Sequence, residues 1–275
     1  MPQIHHEPGA TMHSSPSGPR VVAIVNQKGG VGKTTTAVNL GTALAAVGEK
    51  VLLIDLDPQG NASTGLGVTK HQRVQGTYDL IIDRRGIADV TIATAIPGLS
   101  VIPSSIDLTG AELELVGMSE REYRLRAAIR DRKADYSYIL IDCPPALGLL
   151  TLNALTAADA VLVPLQCEFY ALEGLSHLMR TIERVRKNLN PRLEIQGLVL
   201  TMFDKRNSLS DLVASDVRRH FGEKVYQTVI PRNVRVSEAP SYGKPVLLYD
   251  FRCSGSQAYI HLASEVIRRE QALRQ

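Results

Sequence analysis

Gln27-Lys28-Gly29-Gly30-Val31-Gly32-Lys33-Thr34-Thr35 stands between an apolar run, Val21 to Val25, and a segment of helical period that begins at Lys33. A glycine-rich turn leading from a buried strand directly into a helix gathers backbone N–H groups at the positive end of the helix dipole, the arrangement that cradles a phosphate. In that setting Gly29, Gly30, Val31 and Gly32 form the cradle and Lys33 reaches toward the β- and γ-phosphates of a nucleotide. Thr34 offers its hydroxyl to Mg2+, and Thr35 follows on the helix. The loop departs from the pattern G-x-x-x-x-G-K-[ST] in one place: Gln27 occupies the first glycine position, and a second lysine, Lys28, comes next. The competing reading is a strand-to-helix turn with a lysine there by chance, and the order strand, loop, helix weighs against it.

Outward from the loop, short runs of Val, Ile and Leu alternate with longer segments of helical period, the βαβ pattern of a parallel sheet covered on both faces. The expected strands are Val21 to Val25, Val51 to Ile54, Leu99 to Ile102, Tyr138 to Ile141, Ala160 to Pro164, Ile195 to Met202 and Val225 to Ile230. Helices are expected over Lys33 to Val47, Ser119 to Lys133, Leu149 to Ala157, Ala171 to Asn188, Ser208 to Phe221 and Ser256 to Ala272, with Gly48 and Pro191 as stop signals. The fold class is therefore α/β: a doubly wound, mostly parallel sheet flanked by helices, like that of P-loop NTPases. A single domain is expected over 21–275, after a leader, 1–20, whose Pro, Ser and Gly content reads as disordered.

Composition narrows the setting. No stretch reads as a membrane span, because the longest uncharged one, Cys143 to Ala158, carries two prolines and polar residues. Three scattered cysteines, Cys143, Cys167 and Cys253, suggest neither a disulfide framework nor a metal knot, so a cytoplasmic setting is expected. The net charge of +3 is too small to make the whole molecule a polyanion binder. Yet nine Lys/Arg against six Asp/Glu between Thr201 and Arg252 place that whole surplus in the C-terminal third. Arg206, Arg218, Arg219 and Arg235 belong to it.

Two further places carry carboxylates at strand ends. Asp142 closes the run Tyr138 to Ile141, where it could hold Mg2+, through water, or serve only to cap the following loop. Asp55 and Asp57 follow Val51 to Ile54 two residues apart, so an extended backbone would point both to the same side, and Pro58 stiffens the chain after them.

Taken together, K-G-G-V-G-K-T-T at Lys28 to Thr35, D-L-D-P-Q-G-N at Asp55 to Asn61, I-D-C-P-P at Ile141 to Pro145, E-F-Y-A-L-E-G at Glu168 to Gly174 and I-P-R-N-V-R-V-S-E-A-P at Ile230 to Pro240 resemble the deviant Walker A ATPases, and within them the ParA/Soj partition proteins. The resemblance implies a Mg2+-dependent ATPase in which Asp57 orients the attacking water. Asp142 acts as the Walker B carboxylate, and Asp55 lies near the metal or in a structural hydrogen bond. It implies that Lys28 crosses a dimer interface to the partner's nucleotide; a supplementary cation near the γ-phosphate raises phosphoryl-transfer rates by ~10³ or more. It implies that Pro231 and Asn233 form the adenine pocket, and that Arg206 and Arg235 are the main phosphate contacts to DNA. The expected partners are a second copy in an ATP-bound homodimer, non-specific DNA, and a ParB-type centromere-binding protein. The cytoplasmic protein would then associate with the nucleoid, with no membrane involved.

Rival classes share the loop. A nitrogenase iron protein needs paired cysteines, and only Cys143 sits near the site. A MinD-like, membrane-associated positioning ATPase needs an amphipathic tail; Tyr259, Ile260, Ala263, Val266 and Ile267 form a stripe here, which reads better as core. A P-loop metabolic ligase is not expected to carry both the Asp55 to Asn61 and the Ile230 to Pro240 motifs. The cargo, chromosome or plasmid, stays open.

Overall fold

Val51-Leu52-Leu53-Ile54-Asp55 and Tyr138-Ile139-Leu140-Ile141-Asp142 are buried at every position, as strands covered on both faces must be. The computed structural model describes residues 18–130 and 135–273. Eight strands form one sheet: β1 (Arg20–Ile24), β2 (Val51–Asp55), β3 (Ile92–Ala93), β4 (Leu99–Ile102), β5 (Tyr138–Asp142), β6 (Ala160–Gln166), β7 (Glu194–Phe203) and β8 (Val225–Pro231). Their order is β3-β4-β2-β5-β1-β6-β7-β8, and every neighbouring pair is parallel except β3 with β4. The chain runs from β1 to β2 on one side and later to β6 on the other, so β1 is the switch point. Ligands in open α/β sheets bind beyond the carboxyl ends of strands at such a point.

The helices are α1 (Lys33–Ala46), α2 (Asn61–Gly65), α3 (Thr77–Ile81), α4 (Ile87–Val90), α5 (Leu108–Val116), α6 (Arg124–Ile129), α7 (Leu149–Ala157), α8 (Ala171–Asn188), α9 (Ser208–Phe221), α10 (Val234–Glu238), α11 (Val246–Tyr249) and α12 (Ser254–Leu273). Alternate strand residues feed two cores. Leu52, Ile54, Ile139 and Ile141 pack with Leu115, Leu155 and Leu178 from α5, α7 and α8. Leu53, Val51 and Leu140 pack with Leu40 and Leu44 of α1 and Leu262 of α12. The apolar stripe of α12 is accounted for in this second core, where Tyr259, Ala263 and Val266 are buried and Ile260 and Ile267 pack partly against it.

Several boundaries differ from the sequence expectation. The first strand begins at Arg20, inside the expected leader, because the Arg20 guanidinium is ion-paired with Glu194 and, at 3.0 Å, with Glu270 of α12. Residues 1–17 of that leader lie outside the described residues. The helix expected over Ser119 to Lys133 starts only at Arg124, since Glu120 has a φ of 51° that no α-helix accommodates; Lys133 lies outside the described residues. Gly48, at φ 95°, ends α1 by donating its N–H to the carbonyl of Ala45 at 3.0 Å.

Leu53 is wholly buried between α1 and the sheet. Leu53→Ala is therefore expected to lower the free energy of unfolding by ~2–5 kcal/mol, the usual cost of a large-to-small change in a packed core, read as a lower midpoint in urea denaturation at unchanged slope.

Candidate nucleotide site

The carboxyl ends of three neighbouring strands are in register: Ile24 of β1 lies opposite Asp142 of β5, and Asp142 opposite Asp55 of β2. The glycine-rich loop leaves β1 at this level. Asn26 anchors its start, donating from Nδ2 to the carbonyl of Pro164 at 2.8 Å and accepting the N–H of Lys28 at 3.0 Å. Thr201 of β7 holds its middle, donating from Oγ1 to the carbonyl of Val31 at 2.8 Å. Gly30 and Gly32 have φ of 73° and 89°, left-handed conformations for which glycine is the ready choice. Gly32 caps α1 with no side-chain hydrogen bond to the first turn, so the N–H groups of that turn face the loop.

Lys33 is buried, and its Nζ donates to the carbonyl of Lys28 at 3.0 Å. Burial pushes its ammonium below the usual lysine range, against the pull of Asp142, the Cys143 thiol and Asp57. Asp142 is fully buried, and among the described residues neither carboxylate oxygen has a partner in good hydrogen-bond geometry, the Thr34 hydroxyl lying nearby. Burial, reinforced by Asp55, pushes its carboxyl well up, while the Thr34 hydroxyl and Lys33 pull it down. A buried carboxylate without hydrogen bonds costs several kcal/mol in charged form. A hydroxyl and a carboxylate converging beside a phosphate cradle are hard oxygen donors of the kind Mg2+ takes, so the residues present fit that ion.

Beside Asp142, Asp55 is engaged in structural hydrogen bonds. Its side chain accepts the hydroxyl of Ser63 at 2.6 Å, the N–H of Ser63 at 2.8 Å and the N–H of Asp57 at 3.3 Å. Its own carbonyl accepts the hydroxyl of Thr77 at 2.7 Å. It therefore fixes the turn that carries Asp57, whose Oδ1 accepts the N–H of Gln59 at 3.0 Å and whose carbonyl accepts that of Gly60 at 2.9 Å. Asp57 is buried and close enough to Asp55, Asp142 and Lys33 to influence the acidity of each.

Gly32, Thr35, Pro231 and Asn233 line one cavity of about 200 Å³ together with Met202 and Tyr259. The loop and the expected base pocket are thus contiguous. Asn233 is occupied, however: Oδ1 accepts the N–H of Arg235 at 2.8 Å and of Val236 at 3.4 Å as the cap of α10, and Nδ2 donates to the hydroxyl of Ser254 at 2.9 Å. Only Nδ2 can be freed for a ligand without uncapping that helix.

Lys28 lies apart from the other site cations. Its ammonium is half-exposed and ion-paired with Glu168 of the same chain, just before α8. Glu168 is the functional neighbour that sequence reasoning left without a role; it stood within a quoted motif, 140 positions away from Lys28. Arg206 and Arg235 are exposed near the β7–β8 edge, and both are engaged by carboxylates. Arg206 forms two bonds to Asp204, at 3.0 and 2.9 Å. Arg235 pairs with Glu238 at 3.0 Å and Asp250 at 3.5 Å.

The loop, the strand-end carboxylates and the adjoining cavity define a P-loop nucleotide site of the deviant Walker A kind. The chain matches the AAA domain family over residues 19–195. It is 67% identical to the chromosome partitioning protein ParA of Caulobacter vibrioides strain NA1000 over 254 residues, 92% of this chain and 95% of that one. It is 56% identical to the sporulation initiation inhibitor protein Soj of Bacillus subtilis, covering 90% of this chain and 98% of that one. Among solved structures, cobyrinic acid a,c-diamide synthase from Mycobacterium smegmatis with bound ADP and magnesium superposes with a TM-score of 0.82 at 36% identity, over 92% of this chain and 96% of that one. The chain belongs to the ParA/Soj family of partition ATPases. Among the described residues, no helix is long and apolar enough to cross a membrane.

Proposed function

We propose that this chain is a Mg2+-dependent ATPase, a single domain from residue 21 onward, that forms an ATP-bound homodimer, binds DNA without sequence preference in that state, and returns to the monomer on hydrolysis. Its work is to move a chromosome or plasmid in concert with a ParB-type centromere-binding protein, on the nucleoid in the cytoplasm. The observation that carries the reading is the buried Asp142 carboxylate, without a partner in good hydrogen-bond geometry among the described residues and in reach of Lys33 and Thr34 at the mouth of the loop.

In this mechanism Thr34 and Asp142 would hold Mg2+, which would neutralise charge on the phosphates. The loop N–H groups and the Lys33 ammonium bind the β- and γ-phosphates. Asp57, fixed by its bond to Asp55, accepts a hydrogen bond from water and aims its oxygen at the γ-phosphorus, in line with the bridging oxygen that leaves. Lys28 leaves Glu168 to reach the partner's nucleotide. Phosphoryl transfer needs little covalent help from the protein, so this positioning and charge carry the rate.

Arg206 and Arg235 exchange their carboxylate partners for phosphates when two subunits align their basic edges. Affinity falls with salt by about 0.9 per phosphate contact on logarithmic scales, so doubling the contacts turns weak binding into firm binding. Arg206→Ala or Arg235→Ala is expected to weaken binding about equally for unrelated duplexes and to lower the salt slope by about two contacts, one from each subunit, with ATP-driven dimerisation intact. Fluorescence anisotropy on two unrelated duplexes across a salt series reads this out. The whole reading is tested by light scattering after size exclusion, with ADP and with a non-hydrolysable ATP analogue, followed by anisotropy in each state. Equal DNA affinity in both states, or affinity for one duplex alone, overturns it.

The 36% identity to a synthase is the observation that favours a metabolic ligase instead. ATP turnover stimulated by DNA and a centromere-binding protein, with no small-molecule acceptor, separates the two. A membrane-bound positioning role has less behind it, because the apolar stripe of α12 is spent in the core.

A further inference from the structure

A second cavity, of about 590 Å³, opens between the C-terminus of α3 with the turn that follows it and the length of α6. Arg84, Arg85, Arg124, Arg126 and Arg130 line it, and among the described residues Glu120 is the carboxylate of its lining. Arg85 and Arg126 are exposed, and among the described residues neither they nor Arg84 make an ion pair, unlike Arg206 and Arg235. Arg124 is fixed rather than free: Nε donates to the carbonyl of Ile81 at 2.9 Å and Nη2 to that of Ile82 at 2.8 Å. Its acidity responds to burial and to Arg84, both of which disfavour its charge. Arg84 is thus near enough to Arg124 to disfavour its charge, and the described lining sets five arginines against one carboxylate, Glu120, an excess of positive charge that an anion would relieve.

The backbone points the same way. Among the described residues, three other than glycine have a positive φ: Arg84 at 57°, Glu120 at 51° and Met202 at 49°. Met202 lines the nucleotide cavity, and Arg84 and Glu120 both line the arginine cavity. Such conformations are costly for a residue with a Cβ and gather at ligand clamps. The volume lies within the ~300–1,000 Å³ of small-molecule pockets, and planar guanidiniums match phosphate oxygens two at a time. Tyr123, half-buried on the wall with its hydroxyl donating to the carbonyl of Leu189 at 3.2 Å, adds a ring surface beside the charges.

We propose that this cavity is a second anion site, separate from the phosphate loop, that takes a small phosphate-bearing molecule with at least two phosphoryl groups. The arginines line a half-open concavity of about 590 Å³, a size that suits a compact anion rather than a long acidic chain or duplex DNA.

The test fills the phosphate loop first, with Mg2+ and a saturating non-hydrolysable ATP analogue, and then titrates inorganic pyrophosphate by calorimetry at physiological salt. A second binding event is expected for the wild type. It should weaken tenfold or more in R85S/R126S, two exposed positions whose loss leaves the cores intact, while affinity for the ATP analogue stays the same. Absence of a second event, or one that R85S/R126S leaves unchanged, overturns the proposal. So does a polyglutamate peptide or duplex DNA that binds the wild type, loses affinity in R85S/R126S and competes where pyrophosphate does not bind, since the arginines would then form a macromolecular surface.

Discussion

Lys33→Ala is expected to abolish measurable nucleotide binding. The Lys33 ammonium is held in the site by burial and by its bond to the Lys28 carbonyl, so it is positioned before any ligand arrives. Removing one member of a buried, hydrogen-bonded charge pair costs about 2–5 kcal/mol, or roughly thirty-fold to several thousand-fold in affinity. The same change leaves Asp142 without the nearby cation that favours its charged form, so the metal side of the site weakens along with the phosphate side. Calorimetry with ATP and Mg2+ measures the loss, and a thermal melt monitored by circular dichroism separates it from unfolding. Unchanged affinity would mean that the loop is not where nucleotide binds.

The second large effect comes from comparing Asp57→Ala with Lys28→Ala. Asp57 sits in a turn tied back to Asp55 and takes no part in holding the loop. Its removal should spare ATP binding, cut hydrolysis by two orders of magnitude or more, and let the ATP-bound dimer accumulate. Lys28→Ala should bind ATP through Lys33 and the loop N–H groups yet stay largely monomeric, because the cation offered to the partner's nucleotide is gone. Light scattering after size exclusion with ATP, beside phosphate-release rates, gives both readouts. If both variants were dimeric and hydrolysed ATP at the wild-type rate, the sandwich mechanism would fall.

Much of the sheet was legible because its signal is local. The run Leu99 to Ile102 and the helices Leu149–Ala157, Ala171–Asn188 and Ser208–Phe221 coincide with β4, α7, α8 and α9. Buried parallel strands are nearly unbroken apolar runs, and these helices show a clear period or a sharp end. The two-residue β3 and the four- and five-residue helices α2, α3, α4, α10 and α11 gave no period to read. They are shaped by bonds to distant parts, such as that of Thr77 to the Asp55 carbonyl. The site divides the same way. The loop and Asp142 announced themselves by their place at strand ends. The bonding of Asp55 depends on Ser63, eight positions on, and the engagement of Lys28 on Glu168, 140 positions away. No pattern in one sequence marks a contact of that range. The arginine cavity was unreadable for the same reason: Arg84 lies in the turn after α3 and Arg126 far along the chain in α6, and the backbone turn at Glu120 interrupts what looked like one helix.

In the ATP-bound dimer proposed above, the ion pair between Lys28 and Glu168 would set a threshold. In a symmetric sandwich each subunit must surrender its own pair before its lysine can serve the other, so the penalty is counted twice for one event of association. A surface pair is worth about 0–1 kcal/mol, and two of them subtract up to ~2 kcal/mol, roughly thirty-fold, from the dimer constant. Encounters between subunits lacking the second triphosphate would gain nothing to offset that loss and would part again. On that mechanism the pair would discriminate against accidental meetings and tie assembly to bound ATP as well as to protein concentration.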